Sequence, residues 1–284
     1  MRAFIMGCLA FALCAVACPA GAQTVFSGSG ATTTTAVTDF RTTLGSLNPN
    51  VTGSFGTGRR EINWDGVPGA FADPNNLPGN FFNVNSPRGV VLATPGTGLL
   101  VSANAGDSPS IEFGAINPTY PGLFATFSAQ RLFTAVGSNI VDVTFFLPGS
   151  TTAAFTNGFG AVFTDVDLAN STTLSFFGVG NAFLGTFSVP NITGNETLSF
   201  LGILFSDPVI SRVRITSGNA VLAPGQQESG ATDLVVMDDF IYGEPTTNAV
   251  PEPATWALLL LGFASIGVQL RRRRHVDRRH PATA

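Results

Sequence analysis

Three residue types that carry much of enzyme chemistry are almost missing from this chain. Lysine is absent, so all 14 basic residues are arginines, and the 3 cysteines lie within the first 18 residues. The 2 histidines, His275 and His280, lie near the other end. Residues 23–249, called the body below, therefore contain no cysteine, histidine or lysine. This excludes Ser-His-Asp triads, thiol nucleophiles, Schiff-base chemistry and ordinary zinc sites from the body.

Charge is also sparse, since Asp, Glu, Lys and Arg make up only 11% of the chain. The body contains 7 arginines against 16 acidic residues, a net charge of −9. A body with this charge repels nucleic acid and anionic lipid, and it attracts divalent cations. We therefore expect no nucleic-acid partner.

The N-terminal segment has the pattern of a secretory signal peptide. Arg2 is followed by an apolar run, and the run leads to Ala-Gly-Ala, a small-x-small cleavage pattern. We predict a signal peptide over residues 1–22 and a mature chain that starts at Gln23. The alternative is that Cys18 becomes a lipid-modified N-terminus, although Ala15 stands where that signal usually has leucine. Ordinary cleavage leaves the body without a disulfide.

The body has the composition and the turn residues of an all-β protein. It is rich in glycine and phenylalanine, with 32 and 25 in the whole chain. About a dozen short apolar segments are separated by Gly, Pro, Asn and Asp turns, which is typical of sandwiches and jelly rolls. They are REINW, NFFNV, RGVVLAT, GLLVSA, LFATFS, NIVDVTFFL, FGAVFTDVD, TTLSFFG, AFLGTFSV, TLSFLGILF, ISRVRITSG and DLVVMDDFIY. We predict a single β-sandwich or jelly roll over residues 23–243, followed by a linker at 244–249.

Three local patterns refine this fold prediction. Helical spacing of Val37, Phe40, Leu44 and Leu47, with Gly45 near the end, predicts one short N-terminal helix. The segment VISRVRITSG alternates apolar and arginine positions, as in a half-buried strand. The segment LSFLGILF is apolar at nearly every position, so this strand should be covered on both faces.

Four aspartates are candidate calcium ligands. Asp165 and Asp167 stand two residues apart, so on a strand both would point to one face. Asp238 and Asp239 would lie on opposite faces, with at least one pressed against apolar surface, unless the strand ends or bulges there and both are solvated. Calcium takes about six to eight oxygen ligands and needs neither histidine nor cysteine. We predict that these four residues form a calcium site or a tightly hydrogen-bonded carboxylate cluster.

The long stretch at residues 64–89 is too rich in turn formers for regular structure. Such loops are often functional or bind an ion. It contains Asp65, Asp73, Asn75 and Asn80, which have the right oxygen types for a cation but are also common turn residues.

Aromatic rings beside acidic or amide groups suit glycans. Trp64 next to Asp65, and Tyr120 in the exposed-looking NPTYPG segment, are the candidate glycan-binding residues, although a tryptophan at a strand end is common in cores. Glycan cleavage would instead need two facing carboxylates. The candidates for such a pair are Glu61, Asp65, Glu112 and Asp142.

The segment VPEPATWALLLLGFASIGVQLRRRR, residues 250–274, differs from everything before it. Its apolar part is about as long as the shortest transmembrane helices, and Arg271, Arg272, Arg273 and Arg274 would stop translocation in the cytoplasm. We predict a C-terminal transmembrane helix, a cytoplasmic tail at 275–284 and a body outside the membrane. A plain anchor would not need Pro251-Glu252-Pro253, whose prolines keep the chain extended and accessible.

This segment closely resembles the PEP-CTERM sorting signal of Gram-negative bacteria in its tripeptide, apolar length, position and basic stop. The resemblance implies recognition by an exosortase, a membrane-embedded cysteine transpeptidase that cuts near the tripeptide and releases or attaches the body. Bacteria with this system generally make exopolysaccharide and biofilm. The ten residues after Arg274 are more than the usual few. Residues 158–243 also resemble the jelly-roll modules often found ahead of such signals.

We therefore expect an exported, non-enzymatic protein of the cell surface or extracellular matrix. It would pass through an inner-membrane intermediate, be processed by an exosortase and associate with exopolysaccharide. One alternative is a carboxylate-dependent glycan-cleaving enzyme on the same scaffold. Another is a structural protein anchored by a lipid on Cys18.

Overall fold

The computed structural model describes residues 23–108, 110–247 and 258–268, together with residue 271. Contacts along the chain divide it into two units. One unit is Gly21–Val250, and the other consists of Met1–Ala20 with Pro251–Ala284. The first unit contains the body and all of the strands given below.

The body is mostly β-structure with two short α-helices. Its strands are β1 (Gln23–Ser29), β2 (Arg59–Ile62), β3 (Val90–Ala93), β4 (Gly98–Val101), β5 (Phe133–Val136), β6 (Ile140–Phe145), β7 (Gly158–Thr164), β8 (Thr173–Phe177), β9 (Phe183–Ser188), β10 (Leu198–Phe205), β11 (Arg212–Thr216) and β12 (Val236–Gly243). The helices are α1 (Thr33–Leu44) and α2 (Phe81–Val84). Single 3-10 turns lie at Gly30–Thr32, Gly69–Phe71, Tyr120–Gly122 and Val179–Asn181.

The strands form two antiparallel sheets. The first has seven strands in the order β1-β10-β7-β12-β5-β4, with β2 also paired to β12. The second has five strands in the order β3-β6-β11-β8-β9. The last eight strands pair in a nested way, β8 with β9, β7 with β10, β6 with β11 and β5 with β12. Neighbours in space are therefore often far apart in the sequence.

Inward side chains of both sheets pack into one hydrophobic cluster. Phe145 of β6 and Phe159 of β7 have ring centroids 6.2 Å apart. Phe176 of β8 and Phe205 of β10 are 5.9 Å apart. Each fully buried ring of this kind contributes about 1.5–3 kcal/mol relative to an exposed one, so this cluster is the main source of stability.

Helix α1 covers the other face of the first sheet. Its residues Val37, Phe40 and Leu44 are buried, and the Phe40 ring lies 5.6 Å from that of Phe200 on β10. The helix ends where Gly45 adopts a φ of 98°, which glycine tolerates without steric cost. The N-terminal helix is thus confirmed, but Leu47 lies beyond it.

Both strand patterns that were singled out are confirmed. In β11, Val213 and Ile215 are buried, while the arginines between and before them are half-buried or exposed. Strand β10 is buried at almost every position because α1 covers one face and the hydrophobic cluster covers the other.

Some predicted strands are wrong. The NFFNV segment forms α2, because a helical turn lets the adjacent Phe81 and Phe82 both face the interior. The LFATFS segment forms no strand, and its Phe124 packs into a separate hydrophobic cluster, built mostly from loop residues and called the loop cluster below. Two real strands, β1 and β5, were not predicted.

The predicted linker at 244–249 begins too early. Glu244 is only 4% exposed and forms an ion pair with the fully buried Arg60. Thr246 exchanges backbone hydrogen bonds with Phe155. Residues 244–247 therefore belong to the body, held there by a buried charge pair that has many hydrogen bonds.

The C-terminal unit is described only in part. Residues 258–268 are helical, as is residue 271. Of the residues that the structure describes, no helix is both long and apolar enough to cross a membrane. The signal peptide, Pro251-Glu252-Pro253, Arg272 to Arg274 and the tail all lie outside the described residues.

Candidate functional site

A cavity of about 350 Å³ lies under the long loop, and we call it the Trp64–Arg88 pocket. Four aromatic side chains and four polar ones line most of it. They are Trp64, Phe71, Phe81 and Phe82, with Asn63, Asn85, Ser86 and Arg88. The stretch at 64–89, predicted to be functional or ion-binding, thus builds most of this cavity.

Trp64 forms a wall of the pocket but offers it no open ring face. The residue is 1% exposed, and its ring stacks on Phe133 with centroids 4.1 Å apart. Its Nε1 donates a hydrogen bond of 2.7 Å to the backbone oxygen of Asp238. Trp64 therefore shapes the pocket as a core residue, which was the alternative reading of a tryptophan at a strand end.

Tyr120 lies in a different part of the body. It is fully buried in the loop cluster, and its hydroxyl donates to the backbone oxygen of Ala223 at 3.1 Å. The expectation of an exposed ring in NPTYPG is wrong, because Tyr120 begins a 3-10 turn in which its side chain is buried. Tyr120 presents no ring face to a glycan.

Asp238 and Asp239 lie at a β-bulge in β12, between Met237 and Phe240. The bulge was foreseen as an alternative, but both residues are buried, at 0% and 2% exposure, rather than solvated. A bulge interrupts strict alternation, so both side chains turn toward the segment that holds Ser128.

Hydrogen-bond donors surround this aspartate pair. Asp238 accepts bonds from the backbone nitrogens of Phe127 at 2.5 Å and Ser128 at 3.2 Å. Asp239 accepts from the Ser128 hydroxyl at 2.7 Å and from Arg41 at 2.9 Å. Burial, and then the neighbouring Asp239, raise the pKa of Asp238 to about 9. The pair is a tightly hydrogen-bonded carboxylate cluster.

Asp165 has no such donors. Strand β7 ends at Thr164, and Asp165 adopts a left-handed φ of 68°, so the expectation that it continues a strand is wrong. The residue is fully buried, and among the residues that the structure describes neither carboxylate oxygen has a hydrogen-bond partner. An unpartnered buried carboxylate is costly unless a proton or cation neutralises it.

Three further acids surround Asp165, and we call the four residues the Asp165 cluster. Burial, and then the neighbouring acids Glu228, Asp167 and Asp233, raise the pKa of Asp165 to about 9. Glu228 also has an oxygen without a partner. Asp233 is engaged by the backbone nitrogens of Asp167 and Leu168.

Glu228 and Asp233 were not predicted as site residues. Each stands in a segment with no metal-binding motif, and only the fold brings them to Asp165. The four predicted calcium ligands separate into two groups with different neighbours. Among the residues described, no three or more Asp, Glu, His or Cys side chains are arranged to hold a metal ion.

The candidate catalytic carboxylates have separate partners. Glu61 is bound by Arg41 and Arg59, and Asp142 by Arg212 and Arg214. Asp65 accepts bonds from the backbone nitrogens of Gln130 and Arg131, and Glu112 lies near Glu196. Of the candidate loop ligands, Asp73 has a buried oxygen without a partner, and burial raises its pKa.

Comparison with known protein families matches residues 249–274 to the PEP-CTERM protein-sorting motif. The predicted sorting signal, with Pro251-Glu252-Pro253 and Arg271 to Arg274, is thereby confirmed as a motif. The motif implies an exported protein with a membrane-anchored intermediate that is processed by an exosortase. No curated protein and no solved structure matched the chain.

Proposed function

We propose that this chain is a non-enzymatic protein of the cell surface or extracellular matrix, whose body associates with exopolysaccharide after processing by an exosortase. The PEP-CTERM motif at residues 249–274 is the observation that carries the proposal. A body without cysteine, histidine or lysine supports the non-enzymatic part, because most enzyme mechanisms need one of these residues.

We further propose that the body is a β-sandwich of the jelly-roll type. A jelly roll resembles a long hairpin folded over, in which the first of eight strands pairs with the last and the second with the seventh. The nested pairing of β5 to β12 follows this order. The hydrophobic cluster shared by the two sheets gives further support.

The Trp64–Arg88 pocket supports an association with sugar. Ligand pockets usually have volumes of about 300–1,000 Å³ and combine apolar walls with a few polar groups. This pocket has a volume of about 350 Å³ and an aromatic wall, with amide, hydroxyl and guanidinium groups. Such groups can bond sugar hydroxyls while the half-buried ring of Phe71 contacts a C–H face.

Co-sedimentation tests the glycan part. The exported body is mixed with exopolysaccharide from the producing organism, and both the retained protein and new reducing ends are measured. Retention without new ends is the expected result. New reducing ends would instead support the glycan-cleaving alternative, and the absence of both would contradict association with this polymer.

Processing is tested separately in the producing bacterium. Replacing Pro251 and Pro253 by alanine should block cleavage, so the full-length membrane form should accumulate as it does without the exosortase. Mass spectrometry of the released product reports the cut. Pro224→Ala, at an exposed loop position of the body, is the matched control and should be processed normally. Equal processing of both variants would contradict recognition of the tripeptide.

A further inference from the structure

We propose that the Trp64–Arg88 pocket selects a carboxylated sugar unit, with the Arg88 guanidinium binding the carboxylate. This inference rests on the proposed association with exopolysaccharide and adds the chemical class of the bound unit. It depends on the unusual surroundings of one arginine.

Arg88 differs from the other arginines of the body. Five of these form ion pairs of 2.6 to 2.9 Å with acids, namely Arg41, Arg59, Arg60, Arg212 and Arg214. Arg131 lies near Asp65 and Asp107. Within the described part of the chain, Arg88 has no acidic group within 4.0 Å, and its charged neighbour is Arg60. Among the described residues, its positive charge is therefore not paired with an acidic group.

The Arg88 guanidinium also has unused hydrogen-bonding capacity. Its Nε is buried and has no partner, while Nη1 donates to the Ser86 hydroxyl. The guanidinium carbon lies 5.2 Å from the centroid of the Phe82 ring. Burial lowers the pKa of Arg88, and the nearby Arg60 lowers it further. An anion bound at the guanidinium would supply the missing opposite charge.

The rest of the pocket narrows the kind of anion. Asn63 and Asn85 are exposed at its edge, and Phe71 is half-buried, so amide groups and one ring face are accessible. These groups suit the hydroxyls and the C–H face of a sugar. The planar guanidinium fork matches a carboxylate. One guanidinium in a body of net charge −9 suits a singly charged group better than a doubly charged phosphate.

The test compares two polymers that differ only in the acid group. Polygalacturonate and its carboxyl-reduced, neutral derivative are immobilised, and retention of the full chain in detergent is measured at about 0.15 M salt, where long-range repulsion is screened. We expect strong retention on the acidic polymer and weak retention on the neutral one. Equal retention on both would overturn the carboxylate inference while leaving glycan association standing. Retention on neither would overturn this inference, and binding to the organism's own exopolysaccharide then decides the proposed function separately.

Variants locate the effect at Arg88. Arg88→Gln should weaken galacturonate binding about 10-fold or more, because it removes a charge-assisted hydrogen bond. Arg88→Lys keeps the charge but loses the paired geometry, and it should also bind more weakly. Arg214→Gln is the matched control. It removes the same charge from an arginine that is already paired with Asp142, and the variant should bind normally. Wild-type affinity in either Arg88 variant, or equal affinity of the wild type for galactose, would overturn the assignment; the polymer comparison needs no variant to fold.

Discussion

The body has two acidic pairs whose aspartates are equally buried but have different surroundings: Asp238 with Asp239, and Asp165 with the half-buried Glu228. Asp238 and Asp239 receive hydrogen bonds from Ser128 and further donors, whereas Asp165 receives none and its neighbour Glu228 has an unpartnered oxygen. Burial raises the pKa of both Asp165 and Asp238 to about 9. Burial alone therefore does not distinguish a structural carboxylate from one that can take a ligand. The presence or absence of hydrogen-bond donors around the carboxylate distinguishes them.

The donors around the first pair connect three parts of the fold. Arg41 belongs to α1, Ser128 to the loop before β5, and the two aspartates to the bulge in β12. The pair thus holds the helix and the loop to the first sheet. Asp165 connects no elements in this way, because its carboxylate accepts no hydrogen bond among the described residues. Its charge must therefore be neutralised by a shared proton or by a cation.

The largest expected effect comes from removing Asp238. Asp238→Ala leaves the half-buried backbone nitrogens of Phe127 and Ser128 without their acceptor, at a cost of up to about 1–3 kcal/mol for each donor. We expect the free energy of unfolding at pH 7 to fall by about 2–6 kcal/mol, measured by urea denaturation.

The matched change, Asp165→Ala, should lower the free energy of unfolding much less. Asp165→Ala removes no hydrogen bond that the carboxylate accepts, and the remaining cost is the left-handed backbone, about 1–2 kcal/mol. If Asp238→Ala and Asp165→Ala lose the same free energy of unfolding, the hydrogen-bond donors do not explain a difference between the two acidic pairs.

Calcium binding is expected to give the next largest effect. It tests whether a cation or a proton neutralises Asp165. A calcium concentration one hundred times the dissociation constant adds about 2.7 kcal/mol, which for a body of this size raises the melting temperature by about 5–11 °C. Asp165→Asn should abolish the shift, whereas Asp238→Asn should keep it. If calcium and a chelator give the same melting temperature in the wild type, calcium does not bind and the cluster holds a proton.

The sequence predicted which faces of the strands are buried better than it predicted which strands pair with one another. Alternation placed Val213 and Ile215 inside, and continuous apolarity marked β10 as covered on both faces. The pairing of Phe133 with Met237 joins strands that lie far apart in the chain, and no local pattern encodes it. Periodicity also misassigned NFFNV, because adjacent buried phenylalanines fit a helical turn as well as a strand.

The candidate sites were predicted by residue type but not by grouping. Asp165 and Asp238 were both marked as costly carboxylates, and both are buried. Their separation into two clusters depends on the bulge and on Glu228 and Asp233, which come from distant segments. Arg88 lies in the loop that was marked as functional, but only the structure shows that it lacks an acidic partner.

The most gradual effect, and the one that sharpens the comparison most, is the pH dependence of stability. The pKa of Asp165 rises from an ordinary 3.8 to about 9 on folding, so the folded protein keeps a proton that the unfolded chain has released. The stability from this proton is fully present below pH 3.8 and is lost as the pH rises through about 9. One such proton gives a slope of at most about 1.4 kcal/mol per pH unit. Urea unfolding at about pH 5 to 9 without calcium should therefore show a shallower decline for Asp165→Asn than for the wild type, with the remainder due to Asp238. Parallel declines would mean that Asp165 holds no proton in the folded protein, and that its unpartnered oxygens are neutralised in another way.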